Sequence, residues 1–249
     1  FPEWSEKIHV VDNFDPPDFW YKWRCLDNGY ADPFYWGWLT VSPNGIVYLY
    51  REFTRGEDDP RLLYTEQAKR VADLSKYKVF ENGEYVQKNE KIGYTVAGVD
   101  AWNTHHRDQS GKSLIDYYME GGIGGFTKAI TDRKLRKDTF HEYLKPLPVI
   151  DPATGKETGE YYAKFQVMKR CKKFIEFMPE LVEDEEDPDV IADCNYDHPY
   201  DAVGYGLISY HAKHSKPPAP EKTIVQAHKE AKLKKYKGFN FRRTARGLG

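Results

Sequence analysis

Large apolar and polar residues alternate from 21 to 26, the two-residue period of a strand, until Asp27-Asn28-Gly29 breaks the run with turn-forming residues and leaves Asp27 at a strand end. Residues 35–41 and 46–53 are dense in aromatic and β-branched side chains and flank Ser42-Pro43-Asn44-Gly45, a hairpin signal because Asn-Gly tolerates positive φ. Three antiparallel strands in succession are expected. Ala68, Val71 and Ala72 then share one helical face, with Thr65 as cap and an end near residue 76. Residues 92–99 return as a fourth strand ending at Asp100. Leu114, Ile115, Tyr118 and Met119 recur at helical spacing up to Gly121-Gly122, and 126–130 read as a short fifth strand. A helix starting at Thr131 or Asp132 turns Leu135, Phe140, Tyr143 and Leu144 inward and stops before Pro146. Residues 147–150 and 161–167 flank a long polar hairpin tip at 152–159. A helix over 168–178 buries Cys171, Phe174, Ile175 and Met178, and a last helix runs from Asp197 to about residue 211. Strands first, then strands alternating with helices, make this an α/β chain: a mixed sheet with flanking helices plus an extra β-hairpin.

Composition refines that picture. At 249 residues and 40% apolar content, one substantial core is expected, with a Pro-punctuated arm or linker at 1–20, one domain at 21–215 and a tail at 216–249. The start, Phe1-Pro2-Glu3-Trp4, has no initiating Met and reads as a fragment or processed chain. Three cysteines, Cys25, Cys171 and Cys194, lack C-x-x-C spacing and support neither a disulfide framework nor a zinc knuckle, which is the pattern of an intracellular protein. No apolar run approaches the roughly eighteen residues that cross a bilayer. The formal charge of -2 hides an asymmetry: residues 216–249 hold ten Lys/Arg against two Glu, while six of the seven residues from 183 to 189 are acidic. The acidic run reads as a solvated loop, and the basic tail as a flexible, solvated extension able to meet nucleic acid or an acidic surface.

The chemistry lies in carboxylates far apart in sequence: Asp27, Asp100 and Asp201. Each stands at a strand end or near a helix start, so folding can gather them. Taken singly, Asp27 reads equally as a turn residue, Asp100 as a loop cap and Asp201 as a solvated helix position. Brought within about 4 to 6 Å, ionised carboxylates repel until protonation or a cation relieves them. Mg²⁺ or Mn²⁺ suits such oxygen ligands, and two such ions can serve both sides of a phosphodiester. On the last helix Asp197 and Asp201 are four apart and His198 and Asp201 three apart, so all three can project from one side. Asp32 is a further candidate ligand.

The segment Leu26-Asp27-Asn28-Gly29-Tyr30-Ala31-Asp32-Pro33 resembles the opening motif of the nuclease domain of tailed-phage terminase large subunits, the DNA-packaging motor proteins. Ala97-Gly98-Val99-Asp100 resembles its second acidic motif, and Asp197-His198-Pro199-Tyr200-Asp201-Ala202-Val203-Gly204-Tyr205-Gly206-Leu207 its final helix, with order and spacing in register from about residue 8 to 211. The chain departs from the resembled pattern at Gly204, where Arg precedes the Tyr. The resemblance implies an RNase H-like fold and a metal-dependent endonuclease cutting concatemeric double-stranded viral DNA during packaging. It makes Asp27, Asp100 and Asp201 the ligands of two Mg²⁺ or Mn²⁺ ions, supported by His198, Asp197 and Asp32. It also implies an amino-terminal ATPase missing from this chain, the portal protein and small terminase subunit as partners, and a hairpin near Gly155 close to the groove. The place of action would be the host-cell cytoplasm and not the mature virion, with the isolated domain monomeric.

Ser110-Gly111-Lys112-Ser113 contains G-K-S, but a phosphate-cradling loop needs Gly at 106, which is His106. Backbone phosphates are the expected partners of Arg107 and Lys112, and of the cluster Arg133, Lys134, Arg136 and Lys137; each cluster reads as well as a solvated helix face. Two rivals remain: a non-catalytic DNA-gripping or docking module of the motor, and another RNase H-like nuclease of resolvase or transposase type.

Overall fold

A computed structural model describes residues 1–28, 34–55, 62–104, 111–194 and 197–214. The chain divides into two units, Phe1–His211 and Ala212–Gly249; the basic segment 216–249 lies outside the described residues. The leading arm forms one helical turn, α1 (Glu6–His9), and a two-residue strand, β1 (Val10–Val11). β2 (Tyr21–Asp27), β3 (Tyr35–Val41) and β4 (Val47–Thr54) pair antiparallel in sequence order, as the aromatic runs predict. α2 (Tyr64–Leu74) follows, then β5 (Lys76–Glu81), β6 (Glu84–Asn89) and β7 (Ile92–Ala97). α3 (Leu114–Glu120), β8 (Phe126–Lys128), α4 (Arg133–Leu144), β9 (Leu147–Ile150), β10 (Glu157–Tyr162), β11 (Phe165–Met168), α5 (Lys172–Phe177) and α6 (His198–His214) complete the described chain.

Seven strands form the main sheet in the order β1-β11-β4-β3-β2-β7-β8. β2 lies parallel to β7, and β7 parallel to β8, while β2–β3 and β3–β4 are antiparallel. The sheet is therefore mixed, and helices cover both faces. One face carries Trp23, Cys25, Leu39 and Val96 against Phe140 of α4, Phe174 of α5 and Val203 and Leu207 of α6. The other carries Leu26, Trp36, Trp38 and Ala97 against Val71 of α2 and Leu114 and Tyr118 of α3. Each such side chain, fully buried, stabilises the fold by roughly 1.5–3 kcal/mol before entropy is counted.

Several local expectations are corrected. The alternation in β2 suggests one wet face, yet Arg24 is buried on the second face. Its Nε donates to Thr95 Oγ1 at 3.1 Å and its Nη1 to Ser75 Oγ at 3.3 Å. α2 begins two residues early, with Leu63 at its cap position: the Leu63 N–H donates to Glu66 Oε2 at 2.8 Å, so Glu66 and not Thr65 satisfies its first turn. A hairpin, β5–β6, turns at Asn82 and Gly83 with φ of 52° and 88°, an Asn-Gly signal the sequence reading passed over. The run 161–167 is not one strand: β10 pairs with β9 in the projecting hairpin, whereas β11 joins the main sheet beside β4. Residue 168 ends that strand, and the helix beyond it is only Lys172–Phe177. On α4 the buried face is Arg136, Lys137, Phe140, Tyr143 and Leu144, and Leu135 points outward at 42% exposure.

Candidate active site

Two carboxylates are delivered by the sheet. Asp27 ends β2 and Gly98 follows β7, its N–H donating to the Leu26 carbonyl at 3.2 Å, so both strands finish side by side. The chain after β7 makes a 3-10 turn, Val99–Trp102, that carries Asp100. Gly98 locates the convergence. A Cβ there would stand 2.8 Å from Asp100 Oδ1 and 3.1 Å from Asp27 Oδ1, so those oxygens flank one point, within the ~6 Å over which carboxylates perturb each other. Carboxyl ends of neighbouring parallel strands are where α/β sheets bind ligands.

α6 brings the remaining groups. Gly206 lets this helix lie close on the sheet, since a Cβ there would meet Leu39 Cδ1 at 2.3 Å, and Trp23 Nε1 donates to the Gly206 carbonyl at 3.1 Å. That seating carries the first turn of α6 over the end of β2. His198 Nδ1 lies 2.6 Å from Asp27 Oδ2 and 3.9 Å from Asp197 Oδ1. A carboxylate only accepts, so Nδ1 carries the shared hydrogen. Tyr205 donates to Asp201 Oδ2 at 3.4 Å, and its ring edge would stand 3.5 Å from a Cβ on Gly98.

Charge at the site follows burial. Burial pushes the Asp201 carboxyl up to about 7, with Asp27 and Asp197 adding to the rise and Arg136 opposing it. Asp197 is also raised, by burial foremost and by Asp27 and Asp193, against His198. Burial alone would lower the His198 imidazole, but the Asp27 hydrogen bond and the charges of Asp27, Asp197 and Asp201 hold it above its ordinary value.

Of the remaining candidates, Asp32 and Arg107 lie outside the described residues, as does His106. Lys112 pairs with Glu120 at 2.6 Å. The α4 cluster is met by acids: Arg133 by Asp193 at 2.8 Å, Lys134 by Asp187 and Asp189 at 3.2 and 3.0 Å, and Lys137 by Glu183 at 2.6 Å. Arg136 Nη1 stands 3.0 Å from Asp201 Oδ2. The sequence assigned Arg136 to DNA phosphates and not to Asp201, and gave Tyr205 no role at the site. Both were detectable, since Arg136 shares an i, i+4, i+8 stripe with Phe140 and Leu144, and Tyr205 stands one turn beyond Asp201. Lys128 was also passed over; it sits on β8 opposite Ala97, over the Trp102 ring of the Asp100 turn at 5.5 Å.

The donor set suits a hard divalent cation in kind, carboxylate oxygens with an imidazole behind one of them. Among the described residues no group of three His, Cys, Asp or Glu side chains is arranged to hold an ion, and Asp201 faces Arg136. Oxygens of Asp27 and Asp100 flank one point at Gly98, and Asp201 stands beside Arg136.

The mixed sheet between two helical layers matches the RNase H-like fold of phage large terminase nuclease domains. The nuclease domain of the P22 large terminase aligns over 83% of this chain and 90% of its own length, with a TM-score of 0.57 at 17% identity. The large terminase of the thermophilic bacteriophage D6E aligns over 83% of this chain with a TM-score of 0.54 at 15% identity, and this chain spans 44% of that longer protein. Its ATP-gamma-S complex gives a TM-score of 0.56 at 17% identity. No protein-family model and no curated protein matches the chain.

Proposed function

We propose that this chain is a metal-dependent endonuclease that hydrolyses double-stranded DNA in a phage genome-packaging motor. One observation carries the reading: Asp27 and Asp100, 73 residues apart in sequence, aim oxygens at one point above Gly98, on a fold that the P22 terminase nuclease domain shares. Asp27, Asp100 and Asp201 would hold two Mg²⁺ or Mn²⁺ ions, with Asp197, Asp32 and His198 as supporting groups. Such ions, when bound, offset phosphate charge and lower the pKa of water. His198, fixed through Nδ1 on Asp27, keeps that carboxylate oriented and leaves Nε2 as its second proton-exchanging atom. Tyr205 steadies Asp201 from one turn away.

DNA would be held through phosphates, by Lys128 and Lys112 on the Asp100 side, by Arg107 from the sequence that follows Asp100, and by α4 cations that exchange their acidic partners. In the intact motor the partners would be an ATPase domain, the portal protein and the small terminase subunit, in the host-cell cytoplasm. Among the described residues no helix is long and apolar enough to cross a membrane. Supercoiled plasmid incubated with the protein in EDTA, Mg²⁺ or Mn²⁺ tests the reading: nicking and linearisation are expected only with divalent ion. Cutting in EDTA, or none with either metal, would refute it.

A second reading, a non-catalytic DNA-gripping module, is favoured by the engagement of Asp201 with Arg136 at 3.0 Å. Under that reading divalent ions leave thermal stability unchanged and DNA binding depends on salt alone.

A further inference from the structure

Gly204 lies on α6 one turn after Asp201, buried, where a side chain would be expected to pack against α4. It has no room for one. A Cβ on Gly204 would stand 2.5 Å from Arg136 Cδ and 2.6 Å from Arg136 Cγ, so the stem of Arg136 fills the volume that any other residue at 204 would take. Those are atoms midway along the side chain, in a residue only 4% exposed, and they cannot swing aside cheaply. The guanidinium is thereby delivered to the site. Its Nη1 reaches 3.0 Å from Asp201 Oδ2, and its carbon lies 5.4 Å from the Tyr200 ring and 5.2 Å from the Tyr205 ring. Nη1 is close to Asp201 without hydrogen-bond alignment, and Nε is likewise buried without a partner, so the guanidinium is held by packing and by the charge of Asp201. In sequence, 204 is also the position at which the resembled motif carries Arg.

From this packing we infer that Arg136 is the positioning residue for Asp201, threaded across from α4 through the space that Gly204 leaves open. The two helices supply one function jointly: α6 gives up its own side chain at 204, and α4 provides the cation. The inference rests on the nuclease reading for its catalytic consequence but not for the ion pair itself. Three consequences follow. Removing the guanidinium frees Asp201 and lowers turnover more than DNA affinity. A bulky residue at 204 expels Arg136. A guanidinium returned from position 204, which is i+3 from Asp201, restores what Arg136→Ala loses.

The test has two arms. In the first, thermal unfolding in EDTA compares wild type, Arg136→Ala, Asp201→Asn and the double variant. Each single variant is expected to melt lower, and the double no lower than Arg136→Ala alone, because the second change removes a group already without its partner. Strict additivity would overturn the ion pair whether or not the protein is a nuclease. In the second, Mn²⁺-dependent plasmid cleavage is followed for Arg136→Ala, Arg136→Ala/Gly204→Arg and Arg136→Ala/Gly204→Ala. A fall in kcat of about 100-fold with KM for DNA within about threefold is expected for the first. At least about tenfold recovery is expected for the second and none for the third. Equal recovery by Gly204→Ala would reduce Arg136 to a space filler, and full activity of Arg136→Ala would remove its role. Absence of cleavage by wild type would defeat the nuclease reading and leave the unfolding arm to decide the pair.

Discussion

The molecule holds carboxylates in two contrasting settings. From 183 to 189 six acids crowd into seven residues, yet each stays near water, and those that form ion pairs do so with α4: Lys134 by Asp187, Lys137 by Glu183. Their partners lower the carboxyl groups of Asp187 and Glu183, as for any exposed ion pair. At the head of α6, Asp197 and Asp201 come near Asp27 of β2 in a partly buried space, and there Asp197 and Asp201 are raised instead. Density in sequence is therefore a poor guide to electrostatic stress. Convergence with burial is what generates it, and stress of that kind is what a cation relieves.

The comparison breaks most sharply at its carboxylates. Asp27→Asn and Asp201→Asn each remove a charge and almost no volume, and plasmid cleavage in Mn²⁺ is expected to fall by about 1,000-fold or more with the circular dichroism spectrum unchanged. A variant retaining cleavage would place the chemistry elsewhere. Next in size is the response to metal. With Asp201 raised to about 7, protons compete with cations at pH 6 and much less at pH 8, so the rise in melting temperature on adding Mn²⁺ should be larger at pH 8. An equal rise at both would mean the ion binds away from Asp201.

His198 sharpens the contrast from the other side. Its folded-state value lies above the unfolded one, so its bond to Asp27 contributes fully below about pH 6.5 and is lost as pH rises through the raised value. His198→Gln should cost about 2 kcal/mol at pH 6 and much less at pH 9, read by urea unfolding. A constant cost across that range would assign the loss to packing. The smallest effect is expected in the acidic run. Lys134→Ala breaks two exposed ion pairs and should move the melting temperature by no more than about 2 °C. A larger drop would show that the acidic segment is a structural clasp on α4.

Sequence periodicity by itself determined a good deal here. The three antiparallel strands, the fourth strand leading to Asp100 and the helix bearing Asp197, His198 and Asp201 are all local patterns, and local patterns report backbone geometry because side-chain direction repeats every 2 or 3.6 residues. The turn signal likewise placed Asp27 at a strand end, whereas Asp100, expected at the end of the fourth strand, lies three residues beyond it on a 3-10 turn. The Asn82-Gly83 hairpin was equally legible, because the dipeptide alone sets its turn. Tertiary structure alone decided which faces are covered and which charges meet. β2 is wrapped on both sides, so Arg24 is buried where alternation implies solvent. The chain splits at 162–165 because β11 pairs with β4, a partner more than a hundred residues away. Above all, the charges on α4 were assigned by long-range packing: Arg136 turned in beside Asp201 through the gap at Gly204, Lys134 and Lys137 turned to the acidic segment, and Arg133 to Asp193. A charge has no periodicity that names its partner, and only the fold brings the two within Coulomb range.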